Sequence, residues 1–250
     1  MKKAKKQLKY GLVGQNISYS FSKHYFSNKF SQFHFDNCEY LNFDCNSIEN
    51  FPKIIAKNKN LRGLNITIPY KVTVIPYLDK LSKTAQKIGA VNTIKITKNK
   101  TLKGYNTDYY GFKKALKPLL KKHHKKALIL GTGGASKAVA YALRELKIEY
   151  DFVSRNPSEY ELAYDELNTE IFNDYQIIIN TTPLGTFPNI SNCPPLNYSL
   201  FTTQHIAFDL IYNPDETTFL KQAKANGATI KNGYEMLVFQ AEKSWKIWNK

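Results

Sequence analysis

The chain has 250 residues, 42% hydrophobic and 22% charged, a composition ordinary for a globular protein that buries a substantial core in one large domain or two small ones. No apolar run approaches the ~20 residues that a membrane-spanning helix needs, so no membrane partner is expected. The net charge of +16 comes from lysines scattered through nearly every segment, clustered only at 2–6 and 121–126, without a helix-turn-helix, zinc-finger or RNP-like pattern; nucleic acid is therefore not the expected partner, while a positive field favours small anionic ligands.

The basic start Met1-Lys2-Lys3-Ala4-Lys5-Lys6 has no apolar signal core behind it, because Gly11, Gly14, Gln15, Asn16 and Ser18 interrupt; it reads as a short frayed tail on a cytoplasmic protein. Tyr10-Gly11-Leu12-Val13, followed by Gly14, predicts a buried strand. Ser20 and Ser22 flank Phe21, so an extended loop there turns both hydroxyls one way. Tyr25, Phe26, Phe30 and Phe33 give helical spacing over 23–33. A strand over 39–43, a helix over 48–57 with Ser47 as N-cap, and a strand over 61–68 follow. In that last strand Asn65 and Thr67 alternate with Leu64, Ile66 and Ile68, presenting two polar groups on one face, and Pro69 ends it. Lys71 sits where the chain then turns, and 72–88 predicts a largely helical stretch broken near Pro76. Strands over 92–96 and 103–105 pair around the turn Lys98-Asn99-Lys100. Asn106-Thr107-Asp108 then caps a helix running to about 120.

The second half opens with Lys121-Lys122-His123-His124-Lys125-Lys126, read as a solvated linker, and the apolar run Ala127-Leu128-Ile129-Leu130. A helix over 136–146 and strands over 149–153, 175–180, 205–210 and 228–230 make βαβ repetition of the doubly wound kind. A final helix over 236–248 carries Leu237, Val238, Ala241, Trp245 and Trp248 near helical spacing. Cys38, Cys45 and Cys193, an odd number without C-x-x-C spacing, argue against a disulfide framework, and His123 and His124 lack partner ligands nearby, so no metal is expected.

Gly131-Thr132-Gly133-Gly134-Ala135-Ser136 follows a strand and opens a helix, the context of a dinucleotide phosphate turn. The first glycine permits the tight turn, the second lets backbone approach a pyrophosphate, and the helix N-terminus offers unpaired N–H groups. Ser136 stands at the third glycine position, small enough for close packing. The end of the next strand, Val153-Ser154-Arg155-Asn156, has no acid to bond a ribose 2′-hydroxyl; Arg155 instead offers a fork of donors to a 2′-phosphate, which favours NADP over NAD.

Eight segments together resemble the shikimate dehydrogenases, NADP-linked enzymes of aromatic amino-acid and chorismate biosynthesis. They are Tyr19-Ser20-Phe21-Ser22, Asn65 to Lys71, Gly89 to Thr93, Asn106-Thr107-Asp108, Gly131 to Ser136, Asn180-Thr181-Thr182-Pro183-Leu184-Gly185, Asp209 to Pro214, and Gly233 to Gln240. The resemblance spans 10–248. It implies a mixed or parallel α/β substrate domain over 1–113 with 236–250, the last helix returning to it, and a Rossmann-type NADP-binding domain over 114–235, with ligands meeting between them. It implies Lys71 and Asp108 as the catalytic pair, Lys71 the principal acid/base. Ser20, Ser22, Asn65, Thr67, Asn92, Tyr212 and Gln240 join that pair in binding shikimate. Gly131 to Ser136, Ser154, Arg155, Asn180, Thr181, Thr182, Leu210, Gly233 and Met236 hold the cofactor. Alone, a Ser-x-Ser is a loop or cap, Asp108 an N-cap and Lys71 a surface lysine; the joint match reverses those readings.

The chain departs from the family pattern at Tyr19 and Phe26, where histidines are usual, at Lys23 for proline, at Thr181 for alanine, and at Glu159 for a second arginine. The rival expectations are an NAD-using quinate/shikimate dehydrogenase, which an acid near Ser154 would favour, and a non-catalytic ligand-binding paralogue, which loss of Lys71 or Asp108 would mark. Either a monomer or a homodimer is compatible with this reading.

Overall fold

Tyr10 to Val13 form the middle of β1 (Leu8–Gly14) in a computed structural model that describes residues 7–18 and 20–250; the tail expected at 1–6 and the Tyr19 departure lie outside the described residues. The chain divides into two compact units, Met1–Thr107 with Ala241–Lys250, and Asp108–Gln240.

The first unit contains α1 (Phe21–Gln32), β2 (Cys38–Asp44), α2 (Phe51–Lys57), β3 (Leu61–Ile66), β4 (Lys80–Leu81), α3 (Lys83–Ile88), β5 (Thr93–Ile96) and β6 (Leu102–Tyr105). Its sheet runs β2-β1-β3-β5-β6-β4, parallel across β2, β1 and β3 and antiparallel from β3 through β5 to β6, around the expected turn. Val13, Leu64, Ile66, Val91 and Ile94 pack in one apolar cluster of this unit. Tyr10, Phe26, Phe30, Tyr40 and Trp248 pack in a second, mainly aromatic one. Phe26 stacks on Tyr40 with ring centroids 4.8 Å apart. A Cβ on Gly63 would come within 2.3 Å of the Trp248 ring, so only glycine lets the indole lie against β3, where its Nε1 donates to the Ile94 carbonyl at 3.0 Å.

Three local expectations for this unit are corrected. Ser20 and Ser22 are not in an extended loop: Ser20 is the N-cap of α1, its Oγ accepting the Lys23 N–H at 3.3 Å, and Ser22 lies in the first turn. Ser47 makes no side-chain cap bond, and a 3-10 turn over Ile48–Asn50 precedes α2. The stretch after Lys71 is turn, a 3-10 turn at Ile75–Tyr77, β4, and a short α3 capped by Ser82. Asp79 breaks the helix there, because its N–H donates to the Leu102 carbonyl at 3.1 Å and its carboxylate accepts the Leu102 N–H at 2.7 Å.

The second unit contains α4 (Asp108–Leu116), β7 (Lys126–Leu130), α5 (Gly134–Glu145), β8 (Glu149–Ser154), β9 (Glu161–Ala163), α6 (Thr169–Asp174), β10 (Ile177–Asn180), β11 (Ile206–Asp209), α7 (Thr218–Ala225) and β12 (Thr229–Lys231). The last helix, α8 (Tyr234–Trp248), begins in this unit, and its residues from Ala241 on belong to the first. All strands are parallel, in the order β12-β11-β10-β7-β8-β9, so the winding reverses between β7 and β10. That is the doubly wound nucleotide-binding arrangement, whose ligand crevice lies at the carboxyl ends of the strands beside the reversal. Phe112, Val139, Leu143 and Phe208 pack in one apolar cluster, and Phe172, Phe219 and Leu220 in another. The histidine segment is less solvated than expected. His124 is buried, its Nδ1 accepts the Lys121 N–H at 2.8 Å, and burial lowers its pKa.

Candidate functional site

In the first unit the polar positions gather near the carboxyl end of β3. Asn65 faces Thr93 across the antiparallel pair of β3 and β5 and is 4% exposed. Its Oδ1 accepts the Tyr40 hydroxyl at 2.8 Å, and its Nδ2 donates to Ser244 Oγ at 3.1 Å and to the Asn92 carbonyl at 3.2 Å. Burial pushes the Tyr40 phenol well above the ordinary range. Thr93 Oγ1 lies 2.7 Å from Ser244 Oγ and 3.1 Å from Thr107 Oγ1. Asn92 Oδ1 accepts the Thr107 backbone N–H at 2.6 Å. Asn65 and Asn92 therefore belong to one buried network with Tyr40, Thr93, Thr107 and Ser244, in which each polar atom is oriented by the next.

Lys71 is tied to the same region through its backbone. Its carbonyl accepts the Val91 N–H at 2.7 Å, one residue before Asn92. The turn that carries it follows the cis bond between Ile68 and Pro69; the Tyr70 N–H donates to the Thr67 carbonyl at 2.9 Å and the Tyr70 hydroxyl to the Cys45 carbonyl at 2.6 Å. Lys71 is half-buried, as are Ser20, Ser22 and Thr67.

In the second unit Asp108 is the first residue of α4 and is buried, a position where the helix dipole favours a carboxylate. Gln240 is 5% exposed, with Nε2 donating to the Leu237 carbonyl at 3.0 Å. Tyr212 is half-buried in the loop after β11.

The glycine turn lies between β7 and α5 as expected. Gly131 has φ +97°, a left-handed conformation that side chains resist, and its N–H donates to the Val153 carbonyl at 2.8 Å. Thr132 and Gly133 are exposed, and Gly134 and Ala135 lie in the first turn of α5. Space around Gly133 is open: a Cβ there would meet nothing within 4 Å. Ser136 Oγ donates to the Gly133 carbonyl at 2.6 Å, bracing the turn from inside. Across the reversal, the Thr181 hydroxyl donates to the Leu130 carbonyl at 2.7 Å. Ser154 and exposed Arg155 close β8, with Ser154 Oγ accepting the Asn156 N–H at 3.3 Å. Asn180 Oδ1 accepts the Thr182 hydroxyl at 2.7 Å. Gly233 donates to the Ile211 carbonyl at 2.9 Å and lies against the Leu210 carbonyl. Met236 packs in the core with Phe112 and Phe208. The open turn, the helix N-terminus and an arginine in place of an acid at the end of β8 fit a phosphorylated dinucleotide.

Tyr40, Thr93 and Ser244 carry much of the first unit's geometry, yet none of them is assigned a site role from the sequence. Each is a common residue inside a regular element, and only tertiary pairing gives it a role. Among the described residues, no three His, Cys, Asp or Glu side chains come together as a metal site, and no helix is long and apolar enough to cross a membrane.

Residues 12–94 match the family model described as the shikimate dehydrogenase substrate binding domain. Over 95% of its length the chain is 38% identical to a shikimate dehydrogenase (NADP(+)) of Clostridium botulinum, covering 95% of that protein. It is 37% identical to one of Methanosphaera stadtmanae, again over 95% of the chain and covering 90% of that protein. The structure superposes with a TM-score of 0.85 on shikimate 5-dehydrogenase from Thermus thermophilus in complex with NADP(H) and shikimate, at 31% identity over 97% of this chain and 93% of that one.

Proposed function

The chain belongs to the shikimate dehydrogenase family, and from that premise we infer that it catalyses the reversible NADPH-dependent reduction of 3-dehydroshikimate to shikimate. The observation that carries the reading is the buried amide network of the first unit. Asn65 and Asn92 are held at fixed orientations in the segment to which the Lys71 backbone is bonded, an arrangement suited to a small ring rich in hydroxyls.

NADPH, when bound, supplies the hydride. Reducing a ketone builds negative charge on its oxygen, so a proton donor beside that oxygen lowers the barrier. Lys71 is the principal donor in this reading, and the Asp108 carboxylate orients its ammonium and accepts a ring hydroxyl. Ser20 and Ser22 take the substrate carboxylate with Tyr212, while Asn65, Thr67, Asn92 and Gln240 take the hydroxyls. Gly131, Thr132, Gly133, Gly134, Ala135 and Ser136 hold the pyrophosphate, and Ser154 and Arg155 the 2′-phosphate. Asn180, Thr181, Thr182, Leu210, Gly233 and Met236 border the nicotinamide end.

We take the substrate domain as 1–113 with 236–250 and the cofactor domain as 114–235; the two compact units support a discontinuous first domain, with breaks that differ, after Thr107 and after Gln240. The protein works in the cytoplasm, a reading supported by its three free cysteines, and as a monomer or homodimer. The test is absorbance at the reduced-nicotinamide band with shikimate and NADP, run beside NAD and a Lys71→Ala control. Growth with NADP that the control abolishes is the expected result. Silence of folded protein with both cofactors sinks the reading.

A further inference from the structure

We infer that Asp209 is a positioning residue for the nucleotide-binding loops: it holds the Asn180 amide with its oxygen turned toward Thr182, and so sets the loop that packs against the Gly131 turn. The inference rests on the reading of the second unit as the NADPH-binding one. Asp209 ends β11 and Asn180 ends β10, paired in register, and both are 0% exposed. Asp209 Oδ1 accepts from Asn180 Nδ2 at 3.1 Å and from the Ile211 N–H at 3.0 Å, and Oδ2 accepts the Thr217 hydroxyl at 2.6 Å.

An ionised carboxylate only accepts, so Asn180 must offer its NH2 to that side and its oxygen to the other. The oxygen accepts the Thr182 N–H at 3.0 Å and the Thr182 hydroxyl at 2.7 Å. Thr182 Cγ2 and Thr181 Oγ1 are in turn the atoms that a Cβ on Gly131 would meet, at 3.0 and 3.2 Å. The chain of contacts runs from Asp209 through Asn180 and Thr182 to the phosphate turn. A flipped Asn180 amide would set its NH2 against the Thr182 N–H and release that loop. On its other side, Asp209 fixes the first residues of the loop that carries Tyr212. A buried carboxylate is costly to desolvate, and an apolar residue would serve if packing were all that position required. Orienting the amide is a task that only an acceptor performs.

The test is calorimetric titration of purified protein with NADPH alone and with shikimate alone, for the wild type, Asp209→Ala and Asp209→Asn. Asp209→Ala is expected to weaken NADPH binding by about tenfold or more, as loss of a charge-assisted hydrogen bond does, and to leave shikimate binding within about twofold. Asp209→Asn keeps an acceptor for Asn180 and Ile211 and can donate to Thr217, so it should restore NADPH affinity to within about threefold of wild type. Unchanged NADPH affinity in folded Asp209→Ala overturns the inference, and so does parallel weakening of both ligands. If Asp209→Ala does not fold, Asp209→Val decides: it fills the site without offering an acceptor, so the same selective loss is expected and unchanged NADPH affinity overturns the inference. A wild type that binds neither ligand defeats the proposed function itself; a wild type that binds both, with variants that do not discriminate, defeats only the role of Asp209.

Discussion

Ser244 Oγ lies 2.7 Å from Thr93 Oγ1 and 3.1 Å from Asn65 Nδ2, so one buried hydroxyl on α8 serves two neighbouring strands of the first unit. Replacing it with alanine leaves a gap where Asn65 and Thr93 both expect a partner. Ser244→Ala should destabilise the protein by about 1–3 kcal/mol, the cost of buried polar groups left unpaired. Urea unfolding measures this. The Michaelis constant for shikimate should rise in the same variant while that for NADPH holds, and a variant as stable as wild type would remove Ser244 from the network's working parts.

Arg155 closes β8 and is exposed, with no acid in the adjoining Ser154 and Asn156. Arg155→Ala should raise the Michaelis constant for NADPH by about tenfold to a hundredfold, the range of a hydrogen bond to a charged group. Rates with NADH should barely move. Parallel assays with the two cofactors separate the cases, and an equal loss with both would assign Arg155 to the fold and not to the 2′-phosphate.

Asp108 opens α4, where asparagine also suits a helix start. Asp108→Asn should therefore keep the melting temperature and lower kcat by about 10²–10⁴, the usual reach of a positioned proton-transfer group. Steady-state kinetics alongside thermal melts test it. An unchanged kcat would leave Lys71 to act without this carboxylate.

Burial pushes the Asp209 carboxyl up from 3.8 to about 6, against hydrogen bonds from Thr217, Ile211 and Asn180 that favour its charged form. Between those values the folded protein holds a proton that the unfolded chain has already lost. This group's contribution to stability is therefore greatest below about pH 4, falls as pH rises toward 6, and is flat above. The fall is on the order of 3 kcal/mol. Asp209→Asn removes the titration, so the stability difference between wild type and variant should slope across that window and level out above it. A difference that stays constant from pH 4 to 7 would show that Asp209 is ionised throughout.

Much of the second unit was legible in the sequence because its inner strands are short apolar runs bounded by polar turns. β7, β10 and β11 carry Leu128, Ile178 and Phe208 at 0% exposure, and buried parallel strands read this way wherever helices cover both faces. The glycine turn was equally plain, since a positive φ leaves a compositional trace at Gly131. What escaped was decided by partners distant in sequence. The edge strand β9 has three residues and no run to notice, and α6 buries only Phe172. The bonds of Asp79 to Leu102 override the periodicity after Lys71, as the cap at Ser20 overrides the alternation of its neighbours. Tyr40 and Ser244 are unremarked positions inside an expected strand and an expected helix; their roles exist only once Asn65 lies between them.

The indole of Trp248 against Gly63 bears on how the chain is made. A ribosome releases Gly63 of β3 185 residues before the side chain that covers it, Trp248. The second unit, contiguous from Asp108 to Gln240, has every strand it needs before Trp248 emerges. The first-synthesised half of the protein is thus the last to be completed, the reverse of the usual order of domain maturation during translation. Until then the aromatic surface around Tyr10, Phe26 and Phe30 lacks its last ring, and a nascent chain stalled short of Trp248 presents that surface to chaperones.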